Sequence, residues 1–300
     1  MPATDVTLTC GDMSLALSLQ GAGILGFRRG QQELMIPPYA QPRLASFVMV
    51  PFCSRVTGGR FHYARQQVQL TPNFVPEPHA IHGFGWQSRW RIQDQEANSC
   101  TLTYSHDVEA SGRTGWPWRF HVAQHFALSE VALSHTVTVE NASDTAMPVG
   151  AGYHPHLPLS PTSEIHLACQ GELVLDDGGL PWTGQSREEL SGPADLVNPL
   201  TTRPWLDKAL DQVYVWRQGP AKISWPEQPY SLVIEPDAAL PHWVVYAPKG
   251  ENFICIEPIS HLPNALNLFA PGQSEPGAMV NLDPGGQWSV GARFVTCGPD

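Results

Sequence analysis

An all-β fold, built as a sandwich or barrel of short strands, is what this sequence predicts, and three observations predict it. The 300 residues include 26 glycines and 29 prolines, well above the usual combined share of roughly 12%. Proline at that density interrupts helices repeatedly, while strands joined by turns tolerate it. Apolar and polar residues alternate with a period of two in one segment after another, as in strands buried on one face. Turn residues recur about every 8–12 positions, the spacing of a sandwich or a barrel.

The first elements form a meander. Residues 6–9 and 13–19 alternate, Gly21-Ala22-Gly23 makes a turn, and residues 24–27 and 33–36 continue the pattern to Pro37-Pro38. Residues 72–86 carry Pro72, Pro76 and Pro78 before His79 and His82, with Gly83 and Gly85 after them. Prolines ahead and glycines behind make this a loop, where Gly83 and Gly85 permit a positive φ or a close backbone approach. Strands resume at 89–92, 100–104, 119–122, 131–133 and 136–139. A short helix is expected at Arg187-Glu188-Glu189-Leu190, then a strand over 210–215. Phe253-Ile254-Cys255-Ile256-Glu257-Pro258 reads as a buried strand that the proline ends, leaving Glu257 at its tip. No internal repeat, low-complexity tract or linker divides the sequence, so residues 1–300 are expected to form one domain.

Charge and composition exclude several function classes. The formal net charge is −11, and the 17 lysines and arginines are scattered. That leaves no basic stripe for a nucleic-acid backbone and argues against anionic membranes. No apolar run approaches the roughly 20 residues of a membrane helix. The start, Met1-Pro2-Ala3-Thr4-Asp5, lacks a charged segment followed by an apolar one, so no signal peptide is visible. The six cysteines are widely spaced and form no C-x-x-C pair, which fits reduced thiols in a cytoplasmic protein. Ten tryptophans and seven tyrosines suit a core, and suit equally well flat platforms under a sugar ring.

Five residues are candidates for a site: Glu257, His154, Arg55, His82 and Asp211. Glu257 follows four apolar residues; burial would raise its pKa towards the range useful to a general base, whereas its ordinary reading is a solvated strand end. His154 and His156, either side of Pro155, fall on one face of an extended segment about 7 Å apart. They could be metal ligands, but the glutamate of a cupin-like set is missing from 159–161. A proton-shuttling histidine fits better, since imidazole titrates near 6.5. Arg55 offers a planar fork for hydroxyls or a carboxylate, and alone would pass for a surface charge. His82 sits in the proline-rich loop, with His79 nearby. Asp211 opens a strand and by itself would be a cap or turn residue. His106, His121, His125 and His135 do not cluster and are read as structural or exposed.

Together, Ser54-Arg55 with Gly59-Arg60-Phe61, Ile81-His82-Gly83, Gly152-Tyr153-His154-Pro155, Leu210-Asp211, and Cys255-Ile256-Glu257-Pro258 with Asn264-Ala265-Leu266-Asn267 resemble the aldose 1-epimerase (galactose mutarotase) family. The pieces occur in the family's order between about residues 50 and 270. The family often has Asn at the position of Ser54 and an aromatic at that of His156. The resemblance implies a large antiparallel β-sandwich with few short helices, an open sugar cleft, no cofactor and no metal. It implies Glu257 as the base at the anomeric hydroxyl, His154 as the acid at the ring oxygen, and Arg55, His82 and Asp211 as hydroxyl-binding residues. The expected substrate is a free hexose such as galactose or glucose, and the expected assembly a monomer or homodimer. The alternatives are a hexose-6-phosphate mutarotase, with Arg60, Arg65, Arg89 or Arg91 near the phosphate, a non-catalytic sugar-binding protein, and a metal-dependent isomerase or oxygenase. One carboxylate and one histidine suffice for anomer exchange, whereas most glycosidases require two carboxylates.

Overall fold

The computed structural model describes residues 2–40, 42–107, 112, 114–176, 178–181, 195–198 (backbone alone), 209–273, 275 and 277–298. The helix expected at 187–190 lies outside the described residues. The predicted meander is present: Val6–Cys10, Met13–Ser18, Gly23–Arg29 and Gln32–Met35 pair in sequence order as an antiparallel sheet. Its strands alternate buried and exposed positions, as their sequences require.

The rest is organised by one long run of antiparallel pairings. It begins Arg91–Gln95, Ser99–His106, Phe120–Leu128, Ala132–Asn141 and Gln287–Cys297, then passes through Ser231–Pro236 and Ala221–Ser224 to Glu164–Glu172. From there it continues through Leu210–Arg217, His242–Ala247 and Phe253–Ile259 to Gly152–Tyr153 and Val48–Met49. Glu164–Glu172 serves both halves: residues 164–166 pair with Ala221–Ser224, and residues 169–172 with Leu210–Arg217. The halves meet through their side chains. Tyr153, from the second half, donates its buried hydroxyl to the carbonyls of His135 and Val290 in the first, at 2.7 and 3.2 Å. A large antiparallel β-sandwich is therefore the fold, with a one-turn α-helix at Ala265–Leu268.

Two apolar clusters stabilise it. The larger fills the interior and includes the fully buried Trp90, Trp116 and Trp243. The smaller, with Phe47, Trp86, Val213, Val215 and Val244, lies under the cleft described below. None of the six cysteines forms a disulfide, and four of them are buried. No helix among the described residues is long and apolar enough to cross a membrane.

One strand boundary differs from the sequence reading. The strand carrying Glu257 runs Phe253–Ile259, through Pro258, with every residue buried. Glu257 is thus inside the strand and not at its tip. On one side the strand pairs continuously with His242–Ala247. On the other, its neighbour is interrupted: His156 pairs with Cys255 and Gly152 with Ile259, leaving a break at 153–155, opposite 256–258. Pro258 falls in that break, where a ladder can spare one N–H.

Candidate active site

The interrupted neighbour is what builds the site. Where residues 154 and 155 leave the ladder, the His154 side chain is brought against the face that carries Glu257. Its Nε2 lies 3.3 Å from Glu257 Oε1. The backbone is pinned on the far side, with the His154 amide donating to Phe47 O at 2.9 Å and the His156 amide to Ala45 O at 2.8 Å. The rings are packed as well: Phe47 stacks on His154 at 4.6 Å, His156 packs against His154 at 4.8 Å, and Phe47 and His156 are 6.4 Å apart. An imidazole packed against two rings and tied by its backbone has little freedom to leave the carboxylate.

His82 arrives from the proline-rich segment, which is a loop as the sequence predicts apart from the two-residue bridge strand Ala80–Ile81. His82 adopts a left-handed φ of 59° and Gly83 one of 65°. A Cβ on Gly83 would lie 2.0 Å from Val50 O, so the chain can turn here only with glycine. The turn sets the His82 ring edge-on to His154 at 5.2 Å. His82 Nδ1 accepts the Ser54 amide at 3.2 Å, which places the ring proton on Nε2.

Arg55 sits opposite, gripped by two carboxylates: its Nε donates to Glu77 Oε2 at 2.9 Å, and an Nη lies 3.2 Å from Asp211 Oδ2. His79 Nε2 is 3.9 Å from the other oxygen of Glu77. Arg55, Glu77 and Asp211, with Glu257, His154, His156 and His82, line one cleft of ≈ 490 Å³. Its walls also carry Phe47, Phe74, Trp86 and Tyr246. The structure therefore brings together all five residues singled out from the sequence. Arg60, Arg65, Arg89 and Arg91 are exposed and do not line it. Neither do His106, His121, His125 or His135; His106 and His135 are buried among aromatic rings.

Glu77 escaped the sequence reading. It stands between Pro76 and Pro78, and the signal was there: a lone acid in a stiff loop ahead of a candidate histidine. Phe47, Trp86 and Tyr246 look like any other core aromatics in sequence, and only their placement at a cleft wall sets them apart.

Burial governs the electrostatics of the floor. Glu257, 2% exposed, is held well above the usual carboxylate range by desolvation, with Asp211 reinforcing this and Arg55 opposing it. His154 is pushed well below the usual imidazole value by burial first, then by His156 and His82. For the same leading reason His82 falls to about 3 and His156 to about 4. The floor therefore disfavours charge of either sign. Burial opposes both losing the acid's proton and adding one to the imidazole, and so favours the uncharged pair.

The family model for aldose 1-epimerase matches residues 4–294. The chain belongs to the aldose 1-epimerase family. An Escherichia coli K12 protein, the uncharacterized YphB, is 30% identical over 293 residues, covering 94% of this chain and 95% of that one. A second, YihR, also uncharacterized and from the same organism, is 27% identical over 282 residues, covering 87% and 85%. A crystal structure of a candidate aldose 1-epimerase from Escherichia coli K12 superposes with a TM-score of 0.81 at 26% identity, over 98% of each chain. A galactose mutarotase-like protein from Clostridium acetobutylicum gives 0.82 at 17% identity, over 98% and 95%, a likeness of fold. This epimerase-family chain carries its cleft on the same architecture.

Proposed function

We propose that the chain interconverts the α and β anomers of a free hexose of the galactose or glucose type, with Glu257 as general base and His154 as general acid. The observation that carries the reading is the 3.3 Å approach of a buried carboxylate and a buried imidazole at the floor of an open cleft. The two oxygens on an anomeric carbon, O1 and O5, are the substrate atoms such a pair can straddle.

Ring opening starts from the charged arrangement of the pair, carboxylate and imidazolium. Glu257 takes the O1 proton, His154 Nε2 gives a proton to O5, and the C1–O5 bond breaks to leave an aldehyde and a hydroxyl. The catalysts are then a carboxylic acid and a neutral imidazole, which are the forms that burial favours. Rotation about C1–C2 presents the other face of the aldehyde, and the two transfers reverse to close the ring. The pair holds one proton before and after, so no proton need be exchanged with solvent. Acting in concert, the two avoid building full charge on either sugar oxygen; each such transfer is typically worth 10²–10⁴-fold.

The rim holds the sugar. His82, with Nδ1 engaged by Ser54, offers its Nε2–H to a hydroxyl oxygen. Asp211 and Glu77 accept from hydroxyls, and the remaining Arg55 donors give to them. A free hexose is favoured over a 6-phosphate because Arg55 is already shared between two carboxylates, and a phosphate would meet Glu77 and Asp211 beside it. The test is direct: follow equilibration of α-galactose, α-glucose and α-glucose 6-phosphate by polarimetry or NMR. Faster equilibration of the free hexoses is expected. Sugar binding without acceleration would instead mean a binding protein, and a preference for the phosphate would reverse the substrate assignment.

A further inference from the structure

The mechanism leaves one buried nucleophile unused, the Cys255 thiol. His156 and Cys255 are directly opposed on neighbouring antiparallel strands, so their side chains share a face. His154 stacks on His156 at 4.8 Å with 27° between the rings. Donor atoms of the three residues lie within 4.8 Å of one another. Nδ1 of His154 and Nδ1 of His156 are both buried without a hydrogen-bond partner, in residues 9% and 5% exposed. Two unpaired ring nitrogens beside a free thiol at 0% exposure form an unsatisfied donor set.

We propose that His154, His156 and Cys255 form a site for a thiophilic d¹⁰ metal ion, zinc in particular, and that filling it switches off proton transfer by His154. The inhibitory half of this proposal rests on His154 being the acid; the binding half does not. Two imidazoles and one thiolate suit zinc, with a fourth position left for water. Bonds of about 2.0–2.3 Å draw the ligand atoms to roughly 3.3–3.8 Å apart, so the set must close by about 1 Å. No hydrogen bond at either Nδ1 resists that closure.

Charge balance supports the same ion. Binding releases two protons to solvent, that of the Cys255 thiol and the one held by the Glu257–His154 pair, and one thiolate leaves the zinc site with a single positive charge. The Glu257 carboxylate, 3.3 Å from the far nitrogen of His154, supplies the second negative charge and steadies the ring, as outer carboxylates do for metal-bound histidines. Because both protons must leave, affinity rises with pH. Ions enter through the cleft, which His154 and His156 both line. With Nδ1 ligated, His154 can no longer become imidazolium, and giving up its remaining Nε2 proton would produce an imidazolate.

The experiment uses the full chain, reduced and freed of metal with a chelator, together with Cys255→Ala and Cys255→Ser. Cobalt(II) should give the wild type a thiolate-to-metal charge-transfer band at one equivalent, and zinc should remove that band by competition. Zinc should slow anomer exchange at least tenfold, and chelator should restore it. Both variants should keep their metal-free turnover, lose the band, and need at least tenfold more zinc for the same inhibition. No band in the wild type overturns the proposal, as does an undiminished band in both variants, which would place the metal on Cys10 or Cys297. If no sugar is turned over by any of these proteins, the mutarotase reading falls, while the cobalt spectrum still decides the site.

Discussion

The floor and the rim of this cleft solve opposite problems. On the floor, Glu257 and His154 face each other among Phe47, His156 and a wholly buried strand, and burial pushes both towards neutrality. On the rim, Arg55, Glu77 and Asp211 are only partly buried, with side chains 20%, 16% and 33% exposed, and are joined in ion pairs. The contrast teaches that ionisable groups in one cavity are set by what covers them: desolvation dominates where water is excluded, and ion pairing where it is not. Proton movement needs the first environment, since a group far from its working pKa transfers poorly. Orientation of neutral hydroxyls needs the second.

Removing the base tests the floor and carries the largest expected effect. Glu257→Gln keeps shape and lowers kcat by about 10² or more; His154→Ala does likewise, while His156→Ala mainly raises KM. Because the Gln variant also relieves the desolvation of an acid, its thermal midpoint should equal or exceed that of the wild type. A variant with wild-type kcat would end the assignment, and a larger loss from His156→Ala would transfer the acid's role to that residue.

On the rim, Asp211→Asn and Glu77→Gln each loosen one side of the Arg55 fork. Hydrogen bonds to charged groups are worth about 1.5–3 kcal/mol, so KM should rise about tenfold or more for Asp211→Asn and severalfold for Glu77→Gln, with kcat moved less. Steady-state kinetics on the free hexose decides it: a kcat loss matching that of Glu257→Gln would erase the distinction between floor and rim.

The smallest effects at any one site come from pH, although they add. His82, His135 and His242 are pushed to about 3, and His156 and His261 to about 4, in each case chiefly by burial. Unfolded, each titrates near 6.5. The unfolded chain therefore binds more protons below pH 6.5, so stability falls as pH drops from there towards 4. Thermal midpoints at pH 7 and pH 5 should show the decline, and equal midpoints would contradict these buried neutral histidines. Activity should instead hold across neutrality, because the floor pair keeps its single proton between the lowered imidazole and the raised carboxyl.

Period-two alternation and dense turn residues were enough to read the strands from 6 to 36 and the all-β class, because those signals are local. The ordered motifs around Arg55, His82, His154, Asp211 and Glu257 pointed to the family for the same reason. Tertiary structure alone decided the rest. Glu257 lies inside its strand because a break in the neighbouring strand accommodates Pro258. Glu77 joins the rim because its loop folds back onto Arg55. Cys255 meets His156 through strand register. Each depends on which distant segments share a ladder, and period two repeats identically whatever the partner, so alternation along one strand carries no record of its neighbour.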